Sequence, residues 1–350
     1  MSQRSGSHPV ARGRAHRNWS QAELARRAEI PRTTLSAIEG ERLTPSVTAA
    51  LALARALECS VEELFGNGNI PSPVGSEWAW RSRIERARYW EAEVNGKTLL
   101  YPVEHLSLNV VPHDGVWDDG VARNTGVSLA EQTLVLSCCD PAAGLLATEY
   151  ARTSGFRLIV FSRGGGEALE LLKRGLVHVA GLHRSTAEQP QRNAETVRAQ
   201  LGGGFCLLRV AQWQEGLALA PENRARSPRS VVRKARRWAL RETGSAAREC
   251  LDELCKRASG RIVRSHAAVA DAVRGGWADA GVCVQLSAEN AGLNFVPVRK
   301  EAVDFCFPSA LRHDARIQAL LRLLRSRPYR RMIAELPGYE TRETGEVILR

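Results

Sequence analysis

Apolar positions recur at helical spacing through the first sixty or so residues, and as short β-rich runs alternating with helices through most of the rest. Residues 19–42, WSQAELARRAEIPRTTLSAIEGER, predict two short helices joined by a tight bend. Ser20 is the N-cap of the first, with Glu23 as its capping-box partner, and Leu24, Ala25 and Ala28 share one face. Ala25 is small enough for the second helix to cross closely. Ile30 sits in the bend, Pro31 suits a first helical turn, and Leu35 and Ile38 repeat the apolar face. Pro45-Ser46 opens a further helix with Val47, Ala50, Leu51, Ala54 and Leu57 apolar, and Ser60 caps a last turn, VEELF. An initial helix is expected within residues 8–18, where HPVARGRAHRN holds a glycine and little apolar periodicity. Together these five helices predict one small all-α domain over residues 8–66.

GNGNIPSPVGS at 66–76 cannot sustain helix or strand and reads as a linker. Residues 77–96 combine charge with Trp78, Trp80, Ile84, Tyr89 and Trp90, which predicts an amphipathic segment with an aromatic side, serving a dimer contact or packing on its own domain. We therefore assign 67–97 to linker and amphipathic segment. From residue 98 the pattern is α/β: TLLYPVEHLSLNVV and QTLVLSC, a helix over about 141–154, the strand RLIVF, the helix GGGEALELLKRG, then VHVAGLH and FCLLRVAQWQEGLALA. The second half repeats that order with RRWALRE, AARECLDELCKRASG, RIVRS, AAVADAVRGG, ADAGVCV and FVPVRK, so two lobes are indicated.

Composition narrows the class. The 350 residues suffice for two or three domains, and 49 Lys plus Arg against 38 Asp plus Glu leave a net charge of +11, which suits a nucleic-acid partner. The basic run RSPRSVVRKARRW at 226–238 lies far from the predicted helix pair and reads as a surface patch. No apolar stretch reaches the roughly 18 to 20 residues of a membrane span, and the basic N-terminus lacks a secretory centre, so a cytoplasmic protein is expected. The eight cysteines lack the spacing of a disulfide framework or a CxxC zinc site. No catalytic signature of serine, kinase or zinc-hydrolase type is present, so the chain reads as non-enzymatic, although a Cys-His nucleophile can be drawn from Cys139 and His183.

The outward face of the second helix of the pair carries Arg32, Thr33, Thr34 and Ser36, side chains short or forked enough to reach base edges and phosphates in a major groove. The whole run from SQAELARRAEI to VEELF resembles the Cro/C1 (XRE) helix-turn-helix family. That resemblance implies double-stranded DNA as partner, Gln21 on a phosphate, Arg32, Thr33, Thr34 and Ser36 as the reading face, and a homodimer. An all-helical protein-interaction module is the alternative.

Three strand-to-helix junctions bring backbone amides and small polar side chains to helix N-termini, which attract anions. They hold Ser137, Cys138, Cys139 and Asp140; Ser162, Gly164, Gly165 and Gly166; and Arg241, Thr243, Gly244, Ser245 and Arg248. With LALAPENR, HAAVADAVRGGWADAGV, GLNFVPVRKEAVDFCFP and PGYETRETGEV, they follow the order of the periplasmic-binding-protein-like family. The similarity is to cytoplasmic substrate-binding domains related to molybdate-binding proteins over 98–347. It implies a two-lobe α/β fold of type II, with crossover strands near 205–219 and 292–307, lobe one over 98–204 plus the C-terminal helix, and lobe two over 220–291. By the same resemblance the three junctions line the cleft, Asp279 joins them or else caps its helix or strand, and the ligand is a small anion such as molybdate; no tightly bound cofactor is implied. Adjacent cysteines and GSAAR depart from the oxyanion-binding pattern, which leaves open a metal or redox switch at Cys138 and Cys139. The combined reading is a ligand-responsive transcriptional regulator; a cytosolic anion-binding protein with an oligomerising helix-turn-helix is its rival.

Overall fold

The computed structural model describes residues 8–17, 19–57, 59, 61–65, 77–80, 82, 86–104, 112–118, 121–124 and 128–349; Ser60, Ile84 and the 66–76 segment fall outside them. Five helices come first: α1 (Pro9–His16), α2 (Gln21–Arg27), α3 (Arg32–Glu39), α4 (Val47–Ala56) and α5 (Val61–Phe65). Leu24, Ala25, Ala28, Leu35, Ile38, Leu53, Ala54 and Leu57 form their common core. Ser20 Oγ accepts from the Glu23 amide at 3.1 Å, while the Glu23 carboxylate turns to Arg26 and Arg27 instead of closing a reciprocal box. Pro31 is the N-cap of α3, one residue before its first turn. The glycine of α1 faces Leu57: a Cβ on Gly13 would stand 3.4 Å from a Leu57 methyl, an ordinary packing contact. The face of α4 differs from the sequence expectation. Ala50, Leu53, Ala54 and Leu57 are buried at helical spacing, which leaves Val47 (78% exposed) and Leu51 (45%) outside.

The described chain divides into two compact units, one drawing on residues up to Glu91 with Leu100–Leu129, the other on Ala92–Leu99 with the chain from Ala130 onward. The segment read as an aromatic amphipathic stretch is not helical. It forms β1 (Glu77–Trp78) and β2 (Ala87–Val94), which join β3 (Lys97–Pro102), β4 (Gly115–Asp118) and β5 (Val121–Asn124) in a sheet ordered β1-β3-β2-β4-β5. The cause is local: Asn95 (φ 53°) and Gly96 (φ 72°) both adopt left-handed backbone, the two-residue turn that hairpins favour. Trp78 packs edge-on against Trp117 with ring centroids 5.5 Å apart. β3, β4 and β5 thus complete this small sheet, and the two-lobe body begins after them.

That body contains β6 (Thr133–Cys138), α6 (Ala143–Ser154), β7 (Arg157–Ser162), α7 (Gly165–Lys173), β8 (Val179–Ser185) and α8 (Arg192–Leu201), followed by the long β9 (Phe205–Leu219). Then come α9 (Pro228–Lys234), β10 (Trp238–Arg241), α10 (Ala246–Leu254), β11 (Gly260–Val263), α11 (His266–Arg274), β12 (Ala280–Val284), α12 (Gln285–Asn290) and the long β13 (Asn294–Pro308). A 3-10 turn, α13 (Ala315–Arg325), α14 (Arg327–Ala334), β14 (Tyr339–Glu340) and β15 (Val347–Leu349) complete it. The main sheet runs β11-β10-β12-β9-β13-β8-β6-β7. β6, β7 and β8 are parallel in one lobe, β10, β11 and β12 in the other. The antiparallel β9 and β13 pair from Phe205↔Pro308 to Asn294↔Leu219 and link the lobes. Two C-terminal helices, not one, pack on lobe one through Ile317, Leu320, Leu324, Tyr329 and Ile333.

Candidate functional site

In the helical domain, Arg32 and Thr33 are exposed on α3 and Thr34 and Ser36 half-exposed, while Leu35 and Ile38 anchor the opposite face. Gln21 Nε2 donates to Glu39 Oε2 at 2.8 Å, and Arg14 donates to both oxygens of the same carboxylate. Glu39 thus ties the last turn of α1 and the start of α2 to the end of α3. Leu43 (47% exposed), just before α4, and Val47 and Leu51, one turn apart on it, are apolar residues exposed on this domain. The basic run at 226–238 lies on lobe two, where α9 buries Val231 and Arg237 pairs with Asp279 at 2.7 Å.

The strand ends of the two lobes converge on a buried polar cluster. Cys139 Sγ lies 3.0 Å from His183 Nε2, and His183 Nδ1 lies 2.6 Å from Glu301 Oε2. Trp213 Nε1 and Arg299 Nε also donate to Glu301. Register explains the grouping: Trp213 faces Glu301 and Glu215 faces Arg299 across the crossover strands. Burial alone would depress the His183 pKa, but Cys139 and Glu301 outweigh it and hold it well above the ordinary value. Glu215 shifts the other way: burial and the neighbouring Glu301 raise it, favouring the neutral acid. His266 is pushed well below its usual value, first by burial and then by the charges of Arg241 and His183.

Among the buried groups here without a hydrogen-bond partner are Ser137 Oγ, Arg241 Nη1 and both ring nitrogens of His266. Arg241 is 2% exposed and spends its Nε and Nη2 on Glu242, at 2.9 and 2.8 Å. The N-cap of α7 is Gly164, which supplies no side-chain cap, so the helix's first amides point toward the cleft uncapped. The lobes touch around this centre. Arg184 of lobe one donates to Gly244 O and pairs with Glu249 of α10 at 2.6 Å, and Arg192 pairs with the same carboxylate at 3.3 Å. A hollow of about 420 Å³ lined by Gln214, Gln285, Leu293 and Phe295 lies beside the crossover strands and shares no lining residue with the cluster.

The junction residues separate into those that reach this centre and those that do not. Cys139 does, Arg241 lies near enough to Cys139 to interact with its charge, and Gly164 stands against Glu242 of lobe two. Cys138 points the other way, because alternate residues leave a strand on opposite faces; a Cβ on Gly181 would stand 2.5 Å from its Cβ. Asp140 accepts from the Ala142 amide and from Tyr339 Oη, at 2.8 and 2.6 Å. Ser162 and Thr243 are exposed, and Ser245 caps α10 by accepting from the Arg248 amide. Arg248 pairs with Asp252 one turn along its own helix at 2.9 Å. Asp279 stands before β12, at the strand end opposite the cleft, where it accepts from the Arg236 and Arg237 amides. It is a capping residue.

The model of the PBP superfamily domain matches residues 147–325, just over half of the chain. The chain belongs to the PBP superfamily. A helix-turn-helix family model matches residues 10–64, so a DNA-binding helical domain is joined to a PBP-like ligand-binding domain. The chain is 32% identical over 199 residues to "Uncharacterized protein YvgK" of Bacillus subtilis (strain 168), a match covering 53% of this chain and 64% of that protein. It thus spans less than two thirds of that relative. Among solved structures it is similar to a protein named as a phosphate ABC transporter substrate-binding protein from Clostridium perfringens, with bound phosphate (TM-score 0.47, 10% identity, 59% of this chain and 99% of that one). It is also similar to a reduced form of OxyR from N. meningitidis (TM-score 0.42, 14% identity, 59% and 98%).

Sequence reasoning about this PBP-superfamily cleft missed Glu215, Glu301, His266, Trp213 and Tyr339; it paired His183 with Cys139, which the structure places 3.0 Å apart, but not with Glu301. A signal was present. Trp213 and Glu215 on one crossover strand, and Arg299 and Glu301 on the other, are polar or aromatic residues two apart within otherwise apolar runs, and so share one face.

Proposed function

We propose that this chain is a one-component transcriptional regulator of the cytoplasm, whose helix-turn-helix domain binds an operator as a homodimer and whose cleft senses a small anion. The observation that carries the anion is Arg241 Nη1, a buried charged donor with no hydrogen-bond partner, on a guanidinium near enough to Cys139 of the other lobe to interact with its charge. Such donors are costly to leave unmade and are satisfied by an acceptor that brings negative charge. Molybdate and similar oxyanions fit this chemistry, as do small carboxylates. Binding acts by favouring the closed lobes, and it changes operator affinity by the difference in ligand affinity between the closed and open states. The sealed cluster supports capture of a ligand rather than turnover. Leu43, Val47 and Leu51 support pairing of two helical domains, as a two-fold operator requires.

A thermal-shift panel of molybdate, tungstate, sulfate, phosphate and small carboxylates on the full chain tests this reading. At least one anion should raise the melting temperature of the wild type. In Arg241→Gln that gain should fall by the equivalent of about 2 to 5 kcal/mol of binding. Stabilisation by a neutral molecule alone would refute the charge argument.

A further inference from the structure

The anion reading leaves a buried sulfur and imidazole cluster unused. One donor atom each from Cys139, His183 and His266 lies within 4.8 Å of the others, and all three side chains are buried. His266 is 1% exposed and neither of its ring nitrogens has a partner, although a buried imidazole ordinarily finds one. His183 presents Nε2 to this centre while its other nitrogen lies 2.6 Å from Glu301 Oε2, and Arg299 and Trp213 in turn hold that carboxylate. A carboxylate behind the far nitrogen is how metal-binding histidines are oriented. Glu215, whose carboxyl lies 3.4 Å from Arg299 Nη2, is also within 4.8 Å of His183 and Glu301, so further oxygen atoms adjoin the centre.

We propose that Cys139, His183 and His266 form a site for a divalent first-row ion of the zinc class, with a fourth position open to the anionic ligand. One thiolate and two imidazoles match the borderline softness of such ions, and three protein ligands with one open position make a site that takes an exogenous ligand. The 3.0 Å between Sγ and Nε2 widens to about 3.6 Å on either side of a tetrahedral ion, a shift that a small rotation of the Cys139 side chain supplies. Cys138, on the opposite face of β6, takes no part. The proposal rests on the cleft being the ligand site and gives the anion a metal to bind.

Titration of the metal-free, reduced full chain with Co(II), followed by absorption, tests it. The expected result is one equivalent bound, with a thiolate-to-cobalt charge-transfer band that Cys139→Ser abolishes and Cys138→Ser retains. His266→Gln should weaken binding at least tenfold, and it serves as the test if Cys139→Ser fails to fold. No such band in folded wild type, or a band that survives Cys139→Ser, overturns the site. The anion panel, run on metal-free and Zn(II)-loaded protein, separates the two readings. Anion stabilisation without any metal binding would sink the metal site and leave the ligand reading standing. Co(II) bound through Cys139 with no anion effect in either form would do the reverse.

Discussion

Gly164 of lobe one meets Glu242 of lobe two across the closed cleft: a Cβ on Gly164 would lie 2.6 Å from Glu242 Oε1. Glu242 cannot swing aside freely, because the buried Arg241 holds both of its carboxylate oxygens. A methyl group at 164 therefore opposes closure while leaving each lobe's own packing untouched. Overpacking of this kind costs about 1 to 3 kcal/mol. Hydrogen exchange in α7 and α10 of Gly164→Ala should accelerate, and shortening the opposing side chain with Glu242→Asp should partly restore protection. Unchanged protection in Gly164→Ala would mean that the two residues do not meet in solution.

The Arg184 and Arg192 pairs to Glu249 are a second contact across the cleft, and all three side chains are partly exposed. Pairs of this kind contribute about 0.2 to 1 kcal/mol each and weaken with salt. Glu249→Gln should raise the open population several-fold at low ionic strength, and much less at high. Small-angle scattering of wild type and variant at two salt concentrations measures it; a salt-independent difference would point to another cause.

On the DNA side, Thr33→Ala with Thr34→Ala should erode discrimination between operator and random duplex, each good base contact being worth roughly 1 to 3 kcal/mol. Gln21→Ala should weaken both duplexes alike, as loss of a phosphate contact does. Its bond to Glu39 in the free protein means that Gln21 must exchange one acceptor for another on binding. Fluorescence anisotropy with both duplexes decides, and equal affinities of wild type and double variant for operator and random DNA would count against α3 as reader.

His178 supplies a pH dependence. Its Nδ1 accepts from the Val135 amide at 3.0 Å, its Nε2 lies 2.8 Å from Glu93 O, and burial, helped by Arg316, lowers its pKa from 6.5 to about 4. The unfolded chain therefore binds the extra proton first. Its contribution is complete above pH 6.5 and declines as pH falls toward 4, at up to about 1.4 kcal/mol per unit and about 3 kcal/mol in all. Denaturant unfolding at pH 7, 6 and 5 should show a steeper loss for wild type than for His178→Gln; parallel curves would contradict the assignment.

Local pattern sufficed wherever the deciding interactions lie within one element or its neighbour. The caps and apolar spacing of α2 and α3, and the strands and helices of the two lobes, are of this kind, because backbone hydrogen bonding and a buried face act over a few residues. The hairpin at Asn95-Gly96 was equally local and was overlooked in favour of the aromatics around it. Between Leu51 and Leu53 on α4, only the neighbouring helices decide which one is covered.

The cleft is another matter. Arg241 and Arg248 flank the same junction and look equivalent in the sequence, yet Asp252, one helical turn beyond, engages Arg248 and leaves Arg241 facing inward. His183 is 44 residues from Cys139 and 118 from Glu301, separations across which no periodicity carries information. The sequence by itself determined most of the elements, their order and an α3 with its polar face outward. Which side chains share the buried centre was decided only when the long β9 and β13 fixed their register and the lobes closed on it, because charge and hydrogen bonding act on distance in space and not along the chain.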